Sequence, residues 1–530
     1  MTKLIKRYLQ NNLANFILLL VSLASGLSLL FTDYNNTYIK LTSVVFTIFC
    51  NIFFLNLITL PFCKFKKALK IFLIFLVNIS IVLIYASAIR GFSLTPSLLL
   101  ALFITNVNEV KAIISLADIA ICLTLTSLAS IAILKAKNIT FKFNYKVFTL
   151  SFLICLLLSL SLTPKLINKD MPESNERRKK PYRFYYITNF ELSSPFAFFS
   201  SFAKLGFTLF NTKASTPITL FYSPKTFDND LVIIYLIGET LRFDRLSING
   251  NKNNTTPNLI KQAKLGKLFN FGKEPSKSCD TMTLLSTPCM LSGSQDGTQY
   301  DLFKVFKTAG FESFFYSVHS ARNLKPIKAS VYKNATHKFN AFYNDLEIPA
   351  AIKSIINKNQ GKKMFIAMQM LGSHNIGVEN ILSSKYPDRI LKPYCKSPDI
   401  SHCETQVMFN SYDNTVTLTD IMLGDFFEIV KDKNAIVFFS SDHGQILGED
   451  GNFGHGITKP DGTKPSLQYN VPAFIWMSEK YQQLHPQIHK QILAASKKGS
   501  TNHLQIYQSI IACSGIKPDG LDLKNAFCKI

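Results

Sequence analysis

Three residues at the ends of apolar runs carry chemistry that can be read from type and position. Glu239 closes the run LVIIYLIGE (231–239), and Asp442 with His443 closes AIVFFSSDHG (435–444). Two carboxylates and an imidazole brought to one sheet edge make an N/O donor set suited to zinc. Taken singly, Asp442 reads equally well as a helix N-cap and His443 as a satisfied core histidine. Glu239 has no such plain reading, because an unpaired buried carboxylate is costly. A metal of this kind needs a nucleophile beside it. Residues 278–289 offer hydroxyls at Thr281, Thr283, Ser286 and Thr287 between Cys279 and Cys289. Zinc lowers the pKa of a neighbouring hydroxyl and makes it reactive toward phosphorus. Residue chemistry alone leaves Thr281, Thr283 and Ser286 open, beside the plainer reading of a Ser/Thr-rich helix cap.

Such a site needs a scaffold that gathers strand ends. From about residue 226 the pattern alternates between strand and helix. ESFFYSVHS (312–320) and MFIAMQMLGSH (364–374) join the two runs above as apolar, β-rich segments ending in polar residues. Near-continuous apolar strands are covered on both faces and belong at the centre of a parallel sheet. Their carboxyl ends lie where open α/β sheets place ligands.

The first part of the chain has a different solvent. Five apolar runs near 13–31, 43–62, 69–89, 113–134 and 147–163 approach the 17–25 residues that a spanning helix needs. Lys3, Lys6 and Arg7 precede the first run. Lys64, Lys66, Lys67 and Lys70 follow the second, and Lys135, Lys137, Lys142 and Lys146 follow the fourth. The other two connections carry only Lys40, Arg90 and Lys111. Positive-inside bias places the N-terminus in the cytoplasm and everything after the fifth helix outside. Ala24-Ser25-Gly26 is small enough for a signal peptidase, but the apolar run continues to Phe31, which favours an uncleaved anchor. The expected domains are 1–165 (five transmembrane helices), 166–225 (a periplasmic bridge) and 226–530 (a catalytic domain). Within the bridge, FELSSPFAFFSSFAKLGF reads either as an interfacial amphipathic helix or as a core helix of the next domain.

Cysteines and charge fit the same arrangement. Of the ten cysteines, Cys50, Cys63, Cys122 and Cys155 lie in or beside apolar runs and read as small hydrophobes. Cys279/Cys289, Cys395/Cys403 and Cys513/Cys528 are short-range pairs that suit disulfides in an oxidising compartment. The net charge of +24 favours an anionic membrane or an acidic substrate. No Lys/Arg-rich arm interleaved with aromatics stands out, so nucleic acid is not an expected partner.

The runs G-E-T-L-R-F-D-R-L-S-I-N-G (238–250), C-x-x-x-T-x-x-x-x-P-C (279–289), G-S-H (372–374) and S-D-H-G-x-x-L-G-E-x-G-x-x-x-H-G (441–456) resemble the lipid A phosphoethanolamine transferases. That family includes the mobile colistin-resistance enzymes. The resemblance implies an alkaline-phosphatase-like fold behind the membrane helices. It also implies zinc held by Glu239, Thr283, Asp442 and His443, with Thr283 as the nucleophile. His374 and His455 would then serve the phosphate or a second metal. Disulfides are implied at Cys279–Cys289 and Cys395–Cys403; Cys513–Cys528 rests on compartment alone. In the membrane-proximal loop Thr105 and Glu109 match lipid-facing positions of the family, while Ala101 stands where it has Asn. Ser320 and Lys325 map loosely onto its phosphate-approaching Ser and Lys, and Gln445 replaces a Glu. These departures fall on substrate-binding positions, not on ligands.

The resemblance thus implies an inner-membrane, multi-pass enzyme with its catalytic domain in the periplasm, acting as a monomer. It would transfer phosphoethanolamine from phosphatidylethanolamine to lipid A, with lipopolysaccharide core sugar or periplasmic glucan as the alternative acceptor. A sulfatase needs Cys or Ser, then Pro two positions later and Arg two later still. Here Ser286-Thr287-Pro288-Cys289-Met290 has Met in place of Arg. A phosphoglycerol transferase shares the architecture but not the P-C motif, and a non-catalytic membrane scaffold would not need the full ligand set.

Overall fold

The computed structural model of the chain describes residues 12–31, 37–91, 93–96, 98–99, 116–136, 139–160, 190, 192–210, 220–222, 230–293, 300–317, 337–340, 345–374, 378–396, 403–449, 452–459 and 464–529. The described residues form two compact units. One gathers the described residues up to Phe210 together with those of Ile457–Pro465; the other holds the described residues of Asn211–Gly456 and Ser466–Ile530.

The first unit is helical. Among the described residues four helical segments are long and apolar enough to cross a membrane, at Leu13–Phe31, Lys40–Phe62, Lys66–Ile89 and Leu116–Lys135. The helices concerned are α1 (Leu13–Ser28), α2 (Thr37–Thr59), α3 (Lys66–Ile89) and α4 (Leu116–Lys135). A fifth apolar helix, α5 (Tyr145–Leu160), has 16 described residues, about 24 Å of helix against a hydrocarbon core of about 30 Å. Their outward faces stay apolar: Leu123, Leu128 and Leu157 are more than 60% exposed, as residues facing lipid should be. Asp118 breaks that pattern near the start of α4. It accepts from Tyr85 Oη (2.6 Å) and Arg90 Nε (3.1 Å) and pairs with Arg90 Nη2, so the one carboxylate on these helices is neutralised where α3 ends.

The aromatic segment of the bridge folds as α6 (Phe196–Phe210) and packs on these helices. Phe54 meets Phe196 and Phe199 edge-on at 4.7 and 5.6 Å, and Ser201 Oγ donates to the Leu94 carbonyl at 3.3 Å. α6 is therefore part of the apolar unit and not a core helix of the α/β unit.

The second unit is built on a seven-stranded sheet: β1 (Val232–Gly238), β2 (Leu268–Asn270), β3 (Glu312–Ser317), β4 (His337–Asn340), β5 (Met364–Gln369), β6 (Ala435–Ser441) and β7 (Ala473–Met477). The spatial order is β2-β7-β6-β1-β5-β3-β4. β6, β1, β5, β3 and β4 pair in parallel, while β7 runs antiparallel to both β6 and β2. Alternate residues of β1 feed opposite cores, as a pleat requires. Ile233, Tyr235 and Ile237 face α9 (Leu302–Thr308) and α12 (His503–Cys513), meeting Phe303, Phe306 and Ile510. Val232, Ile234 and Leu236 face α10 (Ile348–Lys358) and α11 (Thr405–Val430), meeting Ile352, Tyr412 and Val416. Of the remaining helices, α7 (Pro257–Lys264) lies on the second of these faces and α8 (Thr283–Ser292) on the first. Burial on both sides explains the unbroken apolar runs. It also puts the carboxyl ends of β1, β5 and β6 side by side.

Candidate active site and metal centre

The register Gly238↔Ser441 between β1 and β6 places Glu239 and Asp442 as the first residues beyond two neighbouring strands. Glu239, Asp442 and His443 are all fully buried. The turn after Glu239 is held by three bonds of Thr240, which sits at φ +59°, a left-handed conformation rare for a β-branched residue. Its N–H donates to Asp442 Oδ1 (3.0 Å), its hydroxyl to Glu239 Oε1 (2.8 Å), and its carbonyl accepts from Tyr412 Oη (2.5 Å). Asp442 Oδ1 also accepts from the His443 N–H at 2.7 Å. His443 Nδ1 lies 2.8 Å from the Gly444 carbonyl. A carbonyl can only accept, so Nδ1 carries the proton and the Nε2 lone pair faces the cluster.

Thr283 is the first residue of α8 and enters the same space. Its Oγ1 donates to Glu239 Oε1 at 2.9 Å and lies 3.1 Å from His443 Nε2. The disulfide Cys279–Cys289 closes the loop around it, and the positive end of the α8 dipole favours negative charge there. The rival hydroxyls are otherwise engaged. Ser286 Oγ donates to the Asp442 carbonyl at 2.5 Å, and Thr281 Oγ1 lies 3.4 Å from Asp280 Oδ1. Of the hydroxyls between the two cysteines, Thr283 is the one that bonds Glu239 and lies within reach of His443.

These residues fit a bound cation. Ligand atoms of Glu239, Asp442 and His443 lie within 4.8 Å of one another. Asp442 Oδ2 is buried without a hydrogen bond and stands 3.4 Å from His443 Nε2. Burial, and then the neighbouring Glu239 charge, push the Asp442 carboxyl well above the usual carboxylate range in the metal-free protein. A dication would relieve both effects. With Thr283 the set supplies four O/N donors, the number usual for zinc.

His455 stacks on His443 with ring centroids 4.2 Å apart, and His374 lies 5.8 Å from His455. Burial, then the neighbouring His443 and His374, hold the His455 imidazole well below its ordinary pKa. The Gly456 N–H donates to the Thr281 carbonyl at 2.9 Å, which ties the His455 loop to the segment that carries Thr283. His374 follows Ser373, whose N–H donates to the Glu239 carbonyl at 2.9 Å. Asp345 holds this turn by accepting from the Leu371 and Gly372 N–H groups, both at 2.8 Å. Disulfides also join Cys395–Cys403 and Cys513–Cys528. Thr105, Glu109, Ala101, Ser320 and Lys325 lie outside the described residues. Sequence reasoning missed Asp345, Tyr412 and His503, which reach the site from other elements and belong to no local motif.

The fold and site define a class: a mostly parallel α/β domain of alkaline-phosphatase type, with two carboxylates, an imidazole and a threonine at the strand ends, behind apolar N-terminal helices. The sulfatase family matches residues 232–516, more than half of the chain, and the chain belongs to that family, within the alkaline phosphatase/sulfatase superfamily of enzymes. Among curated relatives it is 31% identical over 336 residues to the Kdo(2)-lipid A phosphoethanolamine 7''-transferase of Escherichia coli (strain K12), covering 58% of this chain and 56% of the relative. It is 28% identical over 314 residues to the phosphoethanolamine transferase EptA of Helicobacter pylori, covering 56% of this chain and 57% of the relative. To the phosphatidylethanolamine transferase Mcr-1 of Escherichia coli it is 28% identical over 276 residues, covering 47% and 49%. The chain thus spans about half the length of the curated relatives it matches. The fold resembles that of the integral membrane lipooligosaccharide phosphoethanolamine transferase A of Neisseria meningitidis, with a TM-score of 0.71 at 20% identity, covering 97% of this chain and 96% of that one.

Proposed function

We propose that the protein is a zinc-dependent transferase that moves phosphoethanolamine from phosphatidylethanolamine to lipid A through a covalent intermediate on Thr283. The observation that carries this reading is Thr283 Oγ1 within hydrogen-bond distance of both Glu239 Oε1 and His443 Nε2. Zinc held by Glu239, Thr283, Asp442 and His443 would lower the pKa of the threonine hydroxyl and offset charge on the transferring phosphoryl group. His374 and His455 serve the phosphate in this reading, with a second metal held between them as the alternative.

In the first half-reaction a bond forms from Thr283 Oγ1 to phosphorus while the bond from phosphorus to the glycerol oxygen breaks. The threonine proton passes to Glu239 Oε1, to which it is already directed. His374 and His455 hydrogen-bond the phosphoryl oxygens, and His374 passes a proton to the departing diacylglycerol oxygen. In the second half-reaction a hydroxyl oxygen of the acceptor phosphate gives its proton to His374 and attacks phosphorus, the Thr283 Oγ1–P bond breaks, and Thr283 recovers its proton from Glu239. The net charge of +24 favours an anionic acceptor by long-range attraction.

Phosphoryl chemistry is preferred over sulfate hydrolysis within the family. The Arg that a sulfatase needs two positions after Pro288 is Met290 here, and Ser286 is buried and bonded to a backbone carbonyl. The remaining assignments belong to this reading: α5 as a fifth crossing, an inner-membrane location, a monomer, a membrane part over 1–165, a bridge over 166–225 and a periplasmic catalytic domain over 226–530. Thr105, Glu109, Ser320 and Lys325 are assigned to the lipid substrates.

Mass spectrometry of lipid A from a Gram-negative host expressing this chain tests the proposal. A phosphoethanolamine addition that disappears with Thr283→Ala is expected. Addition that persists in the variant removes Thr283 from its role. Unmodified lipid A with the adduct on core sugar or glucan would move the acceptor and leave the chemistry.

A further inference from the structure

His503 lies outside every motif that marks the site, yet both of its ring nitrogens are committed to it. The residue is 1% exposed at the start of α12. Its Nδ1 faces the Cys279 N–H at 3.0 Å, and its Nε2 lies 2.8 Å from the Ser441 carbonyl. An amide N–H can only donate and a carbonyl can only accept, so the partners fix the tautomer: Nδ1 accepts and Nε2–H donates. Ser286 Oγ, which donates to the Asp442 carbonyl, stands 3.3 Å from the same Nδ1.

The two partners belong to different parts of the machinery. Cys279 opens the disulfide loop that carries Thr283, and Ser441 is the last residue of β6, directly before Asp442 and His443. The ring itself is anchored from behind. Lys277 N–H donates to the Thr501 carbonyl at 3.0 Å, and Asn502 caps α12 by accepting from the Gln505 N–H at 2.8 Å. A histidine there solely to fill the core would not need a polar partner on each side, since an aliphatic residue fills buried volume without desolvating two nitrogens.

We infer that His503 is a positioning residue for the proposed transfer: its neutral imidazole fixes the spacing between the nucleophile segment and the strand end bearing Asp442 and His443. The inference rests on the transferase reading above. Burial holds the imidazole down to about pH 4, so the acceptor at Nδ1 persists across the physiological range.

The test uses the full-length, zinc-loaded chain and the soluble phosphodiester p-nitrophenyl phosphoethanolamine. His503→Leu, with His503→Met as a second apolar variant, removes both bonds. His503→Gln restores an acceptor and a donor side by side on one planar group. Loss of kcat on the order of 100-fold in the apolar variants is expected, at nearly unchanged KM, because small misplacements of reacting groups cost that much. Metal content and melting temperature should stay close to the parent, and glutamine should recover most of kcat. The visible spectrum of the cobalt-loaded protein should shift in the apolar variants and return with glutamine. Equal kcat in all forms overturns the inference, as does a loss that follows only the folded, metal-loaded fraction with glutamine no better than leucine. If the parent itself does not turn over the phosphodiester, the transferase reading fails. The cobalt spectra then decide alone, and no shift in the apolar variants overturns the role of His503.

Discussion

One residue beside Glu239 shows how closely the backbone is fitted to the site. Gly372 has φ +55°, and a Cβ there would collide with the Glu239 carbonyl and lie 2.8 Å from its nitrogen. Gly372→Ala should therefore displace a ligand and not merely strain a turn. The expected result is a stability loss of about 1–3 kcal/mol with turnover and zinc retention after dialysis both sharply reduced. Gly266→Ala is the control: its φ is +68°, but nothing lies within 4 Å of the added carbon. It should cost about 1 kcal/mol and leave turnover unchanged. His503 gives a pH dependence with a defined sign. Its folded pKa is lowered from 6.5 to about 4, so between those values the unfolded chain binds a proton that the folded chain refuses. Stability contributed by the neutral ring is thus complete above about pH 6.5 and is lost as pH falls toward 4, by on the order of 3 kcal/mol. Melting curves across this window should be flatter for His503→Gln than for the parent; identical slopes would remove His503 from the acid sensitivity. Glu239, Asp442 and His443 were legible in the sequence because each ends an apolar strand. His503 and Asp345 were not, because their partners are 224 and 26 residues away.

At the scale of elements, the legible strands are those buried on both faces. β1, β5 and β6 are uniformly buried, and their apolar runs stood out together with that of β3. β2 and β4 have three and four residues, too few for a periodic signal. β7, with five residues beginning after Pro472, reverses direction within an otherwise parallel sheet, which no pattern in its own residues announces. Among helices, α8 depends on its covalent clamp. Replacing Cys279 and Cys289 together by Ala opens a loop with a sequence separation of 10 and should cost about 2–3 kcal/mol, read as a lower melting temperature. Because Thr283 sits inside that loop, turnover should fall further than the loss of folded protein explains. Turnover that follows the folded fraction alone would mean that α8 is positioned by packing without the clamp.

For the whole molecule, charge and hydropathy foretold a membrane part and an α/β part, and the two compact units agree with that division in kind. The number of crossings is the finer question. Four apolar segments satisfy length and composition, and α5 is shorter in its described extent. An even number would return the α/β part to the side of the N-terminus, whereas the lysine distribution and the three disulfides call for an odd number. A C-terminal epitope tag should accordingly be digested by protease added to intact spheroplasts; protection until lysis would place the α/β part in the cytoplasm. The central claim is the covalent step on Thr283, and it can be read directly. The full-length zinc-loaded protein, given phosphatidylethanolamine without an acceptor, is quenched in acid and digested with trypsin. Fragment-ion mass spectrometry of peptide 278–304 should find a phosphoethanolamine increment on Thr283. An increment on Thr281 or Ser286, or none in a preparation that modifies acceptor, would contradict the account.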